Sequence, residues 1–131
     1  MGKISVSTSA NRPVNLDLTR MKFPPMAIVS IMHRISGVLL FLFLPFLLYF
    51  WHVALQNAAS FAHIHVLLAT PMMTVFLWLF VAAVGFHLMA GIRHMVMDFS
   101  ICDSVCAARF TAWLLIVLEI ALIALIGVWL W

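Results

Sequence analysis

Charged side chains are scarce in this sequence and absent from its longest apolar stretch. Only 8% of the 131 residues are Asp, Glu, Lys or Arg, whereas 66% are hydrophobic. Residues 35–92 contain no charged side chain, and this stretch is long enough to cross a bilayer twice at about 20 residues per helix. A soluble domain of this size cannot bury so much apolar surface, so the sequence predicts an integral membrane protein.

The sequence also lacks the motifs of self-contained redox enzymes. Its two cysteines, Cys102 and Cys106, do not have the spacing of a haem-attachment motif or an iron–sulfur cluster. A Gly-rich dinucleotide fingerprint is missing as well. Because the cysteines fall in a segment that we place in the cytoplasm, where thiols stay reduced, we expect no disulfide between them.

Three apolar spans are predicted, at about residues 28–52, 72–97 and 110–131. Strict alternation of apolar and polar residues is absent, which argues against a transmembrane β-barrel. We expect loops over residues 56–71 and 98–109. The expected organisation is an N-terminal arm of residues 1–27 and a single all-α membrane domain of residues 28–131, with three transmembrane helices.

The positions of the cations indicate the orientation of the chain. Five of them lie before or at the start of the first span and two flank the second connection, whereas the first connection has none; they are Lys3, Arg12, Arg20, Lys22, Arg34, Arg93 and Arg109. Cations concentrate on the cytoplasmic side of membrane proteins, so we expect a cytoplasmic N-terminus and a C-terminus outside. The same rule explains the basic pI without a nucleic-acid partner.

Polar residues mark the start of the first span. Ser30, His33, Arg34 and Gly37 lie at i, i+3, i+4 and i+7, so they share one face of a helix. Such residues are costly near hydrocarbon, which favours a face directed at a ligand, a cofactor or a partner. The alternative is that Ser30 caps the helix start and Arg34 is a topology anchor that reaches the membrane surface.

A second polar group lies in the second span, where His87, Gly91 and His94 stack along one side over two turns. If this helix is centred near Val84, His87 is within about 5 Å of the midplane and His94 is about 15 Å from it. A neutral imidazole so deep needs a partner for its lone pair, and a haem iron provides one. We therefore interpret His87 as a candidate axial ligand.

The surroundings of His87 fit this interpretation. Gly91 would leave room for a flat macrocycle, and Arg93, His94 and His33 at the cytoplasmic edge would meet the haem propionates. The alternative is a histidine that hydrogen-bonds a neighbouring helix and a glycine that permits close packing. If haem has two protein ligands, the second must come from another chain, because the remaining histidines lie near the membrane surfaces.

Other polar residues give weaker indications. His63 and His65 would lie on one side of an extended strand, but without an acid or a thiol they form an incomplete metal site in an ordinary solvated loop. His52 ends the first helix at the interface. Glu119 lies in the middle of the third span, where an ionised carboxylate would cost about 2.5–3.5 kcal/mol. We expect this side chain to be protonated or to face a partner.

Three sequence blocks together resemble one family, the cytochrome b membrane-anchor subunit of bacterial succinate dehydrogenase, respiratory complex II. The blocks are RPVNLDL at residues 12–18, SIMHRISG at residues 30–37 and HLMAGIRH at residues 87–94, the last followed by Asp98. They occur in the right order and helix context over residues 12–98. The third span resembles the family only in hydropathy.

The resemblance implies roles for particular residues. Ser30, Arg34 and Phe23 would border the ubiquinone site, and His87 would ligate haem b. The haem propionates would lie near a cationic group made of His33, Arg34, Arg93 and His94. Independently of the resemblance, reduction of a quinone requires two protons, which cytoplasmic water would supply with help from Asp17 or His33.

The resemblance also implies an assembly in the bacterial inner membrane. Electrons from succinate would arrive through a flavoprotein and an iron–sulfur subunit, linking the tricarboxylic acid cycle to aerobic respiration. A second small membrane anchor would supply the other axial ligand and part of the quinone pocket, completing a haem-binding helical bundle. The alternatives are a cytochrome b subunit of fumarate reductase or hydrogenase, or a small helical transporter; the transporter explains the spans and Glu119 but not the two polar blocks.

Overall fold

The computed structural model describes residues 23–100 and 104–131, and nearly all of these residues are helical. The helices are α1 (Pro25–Ala54), α2 (Ala58–Leu68), α3 (Pro71–Asp98) and α4 (Val105–Leu130). Helices α1, α3 and α4 are long and apolar enough to cross a bilayer, and the described residues contain no strand. The prediction of an all-α chain with three membrane helices is confirmed. Asp17, the rest of the first sequence block and Cys102 lie outside the described residues.

Local sequence explains where the helices begin. Proline occupies the first position of α1 and α3, where its missing N–H costs no helical hydrogen bond. Asn57 caps α2 by accepting a hydrogen bond from the Ser60 N–H at 2.8 Å. Ser104 caps α4 in the same way, with the Ala107 N–H at 3.3 Å. As a result α1 begins within the predicted arm, and α4 begins within the predicted second loop.

The predicted loop over residues 56–71 is wrong, because this segment contains α2. The Asn57 cap is followed by apolar residues at helical spacing, and one of them, Ile64, is buried against the bundle. The extended strand expected for His63 and His65 is wrong for the same reason. On a helix, residues two positions apart are rotated by about 200° around the helix axis, so these two imidazoles do not share a side.

Small residues allow the three long helices to pack together. Helices α1, α3 and α4 contact one another, and α2 contacts α1 and α3. The core at their crossing consists of Val29 from α1, Ala90 from α3, and Ala112 and Leu115 from α4. Alanines at such crossings let helix backbones approach closely in a membrane. The half of the bundle in which the polar residues of α1 and α3 lie is held together by this core.

Aromatic contacts join the other half of the bundle. Phe43 of α1 meets Phe76 of α3 edge to face, with ring centroids 4.7 Å apart. Trp78 of α3 donates its indole N–H to the Ile123 carbonyl of α4 at 3.0 Å. These contacts fix the register of α3 against both neighbours, and with it the height of the histidines along the seam between α1 and α3.

Candidate functional site

His87 lies in the seam between α3 and α1 and contacts the backbone and a side chain of α1. Its Nδ1 atom is 3.1 Å from the Ser36 hydroxyl and 3.2 Å from the His33 carbonyl oxygen. The Ser36 hydroxyl also donates a hydrogen bond to the His33 carbonyl at 2.8 Å. The deep histidine is therefore oriented by the polar turn at the start of the first membrane helix.

The contacts at Nδ1 determine which nitrogen of His87 is free. A carbonyl oxygen can only accept hydrogen bonds, so Nδ1 carries the proton and donates it to the His33 carbonyl. The lone pair of the neutral ring is then on Nε2. Metal-ligating histidines commonly have this arrangement, with one nitrogen donating to a carbonyl and the other free to bind the metal. The geometry of His87 thus fits the donor set of a haem ligand.

Two glycines make room for the histidine rings in a reciprocal manner. A Cβ built on Gly37 of α1 would lie 3.1 Å from Cε1 of His87, so the His87 ring rests on the α1 backbone. A Cβ built on Gly91 of α3 would lie 3.5 Å from Nε2 of His33, whose ring rests on the α3 backbone. The space that the sequence assigned to a macrocycle at Gly91 is taken by the His33 ring.

Three histidines form a row along this seam. The rings of His33 and His87 stack with centroids 4.2 Å apart and planes 27° apart. His94 continues the row, its ring centroid 6.2 Å from that of His33. The Nε2 atom of His33 is buried and has no hydrogen-bond partner in the described part of the chain. The structure therefore brings together His33, His87 and His94, as expected from the two polar blocks.

Arg93 lies apart from this row. Its Nε donates to the Thr111 hydroxyl at 3.1 Å and its Nη2 to the Ala108 carbonyl at 2.9 Å, both on α4. The guanidinium also lines an apolar groove of about 280 Å³ between α3 and α4. The geometry gives Arg93 a role in joining two helices, and it does not support the propionate contact expected from the sequence.

Ser30, Arg34 and Gly37, which were predicted to share one face of a helix, have different environments in the structure. Gly37 lies in the seam under His87, Ser30 is half-buried, and Arg34 is exposed on the outside of the chain. Phe23, just before α1, is 43% exposed. Of the three residues expected at the quinone site, Arg34 and Phe23 are thus exposed, whereas Ser30 is partly covered.

Ser36 is the residue of the candidate site that sequence reasoning missed. It is 5% exposed and contacts His87 directly, yet it lies outside the i, i+3, i+4, i+7 series that begins at Ser30. The available signal was its position one helical turn after His33 within the same polar block. A helical wheel places Ser36 and Arg34 on different sides of α1, but it does not reveal which side α3 covers.

Glu119 is buried between α4 and α3. It is 6% exposed, and its Oε2 has no hydrogen-bond partner among the described residues. A Cβ built on Gly85 of α3 would lie 3.6 Å from this oxygen, so the missing side chain of Gly85 makes the space for the carboxyl group. Glu119 is therefore enclosed by this chain itself.

The histidines at the opposite end of the bundle form no comparable group. His52 in the last turn of α1 contacts the Gln56 amide, with 3.3 Å between His52 Nε2 and Gln56 Nε2. His63 and His65 are exposed on α2. Among the described residues, the row in the seam between α1 and α3 is the group that combines depth, stacking and a free imidazole nitrogen.

Comparison with known proteins identifies the family. Residues 8–127 match the family described as the succinate dehydrogenase/fumarate reductase transmembrane subunit. The chain belongs to this family. The resemblance inferred from the three sequence blocks is thus confirmed, and this multi-pass membrane chain is a transmembrane subunit of an enzyme complex.

Individual relatives agree with the family match over almost their whole length. The chain is 48% identical over 124 residues to the succinate dehydrogenase cytochrome b556 subunit of Coxiella burnetii, covering 94% of this chain and 99% of the relative. Two further cytochrome b556 subunits, from Rickettsia typhi and Rickettsia prowazekii, are each 30% identical over 128 residues, covering 98% of this chain and 100% of each relative.

Proposed function

We propose that this chain binds haem b and forms part of the ubiquinone-reducing site of a bacterial succinate dehydrogenase. The observation that carries the proposal is the His87 imidazole, whose Nδ1 is held by α1 while Nε2 has no hydrogen-bond partner among the described residues. The family also contains subunits of fumarate reductase, but the three relatives named above are all succinate dehydrogenase subunits. Succinate oxidation is therefore the proposed direction.

His87 ligates the haem iron through Nε2, and the bound haem supplies a one-electron redox centre within the membrane. His33 does not serve as the second axial ligand in this proposal. Its ring stacks face to face on His87, and rings stacked in this way cannot approach opposite faces of one macrocycle. The second ligand comes from another small membrane-anchor subunit that covers the open side of the seam.

The cytoplasmic end of the site offers imidazole N–H groups and the Arg34 cation, which suit the anionic propionates. His33 and His94 extend the row towards the membrane surface, and Arg34 follows His33 directly in α1. Cations at this depth are within reach of the interface, whereas His87 stays in the apolar zone. Arg93 is left out of this group because its Nε and Nη2 donate to α4, which directs the guanidinium away from the histidine row.

Ubiquinone binds where Ser30, Arg34 and Phe23 lie, at the start of α1, where Arg34 and Phe23 are exposed and Ser30 is half-buried. The Ser30 hydroxyl donates a hydrogen bond to a quinone carbonyl, and the Arg34 guanidinium stabilises the negative charge that this oxygen gains on reduction. Phe23 provides an apolar wall at the opening. Because Arg34 is exposed in the isolated chain, other subunits must complete the pocket.

The electrons come from outside this chain. A flavoprotein oxidises succinate and an iron–sulfur subunit passes the electrons to the membrane, which fits a chain with only two cysteines. The assembly lies in the bacterial inner membrane with the N-terminus of this chain in the cytoplasm, as its cations predict. The quinone site is then on the side from which protons are taken up.

Haem ligation is tested by a reduced-minus-oxidised optical spectrum of the purified complex. The wild-type complex should show b-type bands. His87→Ala should remove these bands or, where a substitute ligand holds the haem, shift the bands and the midpoint potential. His52→Ala is the matched control, because His52 is also a histidine of a membrane helix but lies in the last turn of α1, at the other end of the bundle from His87.

Two results would contradict the assignment of His87 as the haem ligand. An unchanged spectrum and midpoint potential in His87→Ala would remove His87 as the ligand. A change of equal size in His52→Ala would show that any histidine substitution disturbs the complex, which would equally remove the assignment.

A further inference from the structure

We infer that Ser36 is a positioning residue whose hydroxyl accepts a hydrogen bond from the Nδ1–H of His87, holds the orientation of the imidazole and thereby lowers the reduction potential of the haem. Ser36 has this role only if His87 ligates haem, as proposed above. The side chain is 5% exposed, so water does not replace its hydrogen bonds. It touches the ligand ring and faces neither the lipid nor the quinone region.

Three atoms form a closed hydrogen-bonded group. The Ser36 hydroxyl donates to the His33 carbonyl at 2.8 Å, and the His87 Nδ1 lies 3.1 Å from the hydroxyl oxygen and 3.2 Å from the carbonyl oxygen. A carbonyl oxygen has two lone pairs and can accept both the hydroxyl proton and the Nδ1 proton. The Ser36 oxygen then uses a lone pair to accept from the same Nδ1–H.

The opposite direction of this hydrogen bond is unfavourable. If the Ser36 hydroxyl donated to Nδ1, an unprotonated nitrogen would face the lone pairs of the His33 carbonyl at 3.2 Å. That carbonyl would also lose the hydroxyl proton that it receives now. Both effects raise the energy of this group, in which Ser36 is 5% exposed, so the hydroxyl acts as an acceptor from the ring.

The hydrogen bonds affect the iron through the ligand. An acceptor at the distal N–H of an imidazole increases the basicity of its other nitrogen, which favours the more highly charged ferric iron. The hydroxyl and the Gly37 backbone also restrict rotation of the ring, since the ring rests on Gly37. Ser36 thus influences both the electron density and the orientation of the proposed ligand.

The test is Ser36→Ala in the complete complex. Redox titration of the b-type bands should give a midpoint potential more positive than that of the wild type. Losing one acceptor should change the ferric-to-ferrous equilibrium by up to about tenfold, which corresponds to about 59 mV for a one-electron couple. The electron paramagnetic resonance g values of the oxidised haem should change as the ring gains rotational freedom.

Thr74→Val is the matched control. Thr74 is a buried hydroxyl in α3 that donates to the Thr70 carbonyl one turn earlier, as Ser36 does in α1, but it does not contact the histidine row. Its substitution should leave both the potential and the g values unchanged. Ser36→Thr keeps the hydroxyl and should therefore have the same midpoint potential as the wild type.

Each result decides a specific point. A wild-type potential in Ser36→Ala overturns the role of Ser36 and leaves ligation by His87 intact. Failure of the proposed haem ligation is recognised separately, because the b-type bands would then be unchanged in His87→Ala. If Ser36→Ala assembles without haem, Ser36→Cys is measured, since sulfur is a weak acceptor and should shift the potential in the same direction. A cysteine variant at the wild-type potential overturns the inference, and loss of haem in both variants with retention in Thr74→Val supports it.

Discussion

Neighbouring residues at the start of α1 have separate tasks. Ser36 and Gly37 face the seam with α3 and hold His87, whereas Arg34 is exposed on the outside of the chain. His33 connects the two sides, because its carbonyl accepts from His87 while its ring stacks on the same residue. Within two helical turns, the chain contributes to the proposed haem site on one side and to the proposed quinone site on the other.

Arg34→Leu and Ser30→Ala test the quinone side of this arrangement. Loss of a hydrogen bond to a charged group typically costs about 1.5–3 kcal/mol, so ubiquinone reduction should fall by about 10- to 100-fold in Arg34→Leu. The neutral bond lost in Ser30→Ala should cost less. Electron transfer from succinate to an artificial acceptor at the soluble subunits, measured in the same preparations, should remain.

Arg109→Leu serves as the control for Arg34→Leu, because Arg109 is also exposed but lies at the start of α4. This control should keep both activities. Parallel loss of the artificial-acceptor activity in Arg34→Leu would mean that Arg34 acts in assembly of the complex, contrary to the proposed role.

Sequence reasoning located the histidines but not their surroundings. Spacing along a helix was enough to place His87 and His94 on one side of α3, and the structure brings His33 to the same row. The contact of Ser36 with His87 depends on how α1 rotates against α3, which is decided by packing of Val29 and Ala90 with α4. The turn of Arg93 towards α4 has the same origin, and no helical periodicity reveals it.

Helices α3 and α4 are joined by a polar contact in an apolar interface. Arg93 donates to Thr111 and to the Ala108 carbonyl, and Thr111 in turn donates to the same carbonyl at 3.2 Å. Hydrogen bonds between membrane helices contribute about 0.6 kcal/mol on average and about 1.7 kcal/mol at most. This contact holds the Arg93 guanidinium away from the histidine row.

A double-mutant cycle of Arg93→Met and Thr111→Val measures this contact. The free energy of unfolding in detergent titrations of the purified complex should show a coupling of about 0.6 kcal/mol between the two substitutions. The b-type bands should stay unchanged in Arg93→Met, because the Arg93 guanidinium contacts α4 and not the histidine row. Strictly additive effects, or a changed haem spectrum in Arg93→Met, would contradict this arrangement.

The membrane helices were predictable because hydropathy alone requires them. A run without charges from residue 35 to residue 92 leaves no other stable conformation in a bilayer. Helix α2 was not predicted, because its 11 residues are too short for a hydropathy signal and include two histidines. Its formation depends on the Asn57 cap and on burial of Ile64 against the bundle, and the latter is a tertiary effect.

The whole molecule has too small a core to be complete by itself. Most large apolar side chains along the three long helices are exposed, for example Phe41 and Trp129. Lipid or another membrane subunit must cover these surfaces, as expected for one component of an assembly. The open side of the seam between α1 and α3 is where a second anchor would approach the histidine row.

The orientation of the molecule is tested with two reporters fused after Trp131 of the full chain. With three membrane helices and a cytoplasmic N-terminus, alkaline phosphatase at this end should be active and green fluorescent protein should be dark. The same reporters fused before Met1 should give the reverse pattern. A fluorescent C-terminal fusion without phosphatase activity would invert the proposed topology and place the quinone site on the wrong side of the membrane.

The separation of Ser36 and His87 along the chain has a consequence for biogenesis. The two residues are 51 positions apart, so the ribosome completes α1 long before it makes the ring that Ser36 contacts. During that interval the Ser36 hydroxyl is already satisfied by the carbonyl of its own helix, and α1 can enter the bilayer without an unpaired hydroxyl. His87 acquires its two acceptors only when α3 docks. Competence to capture the proposed haem would therefore arise late, after α3 of the nascent chain has been inserted.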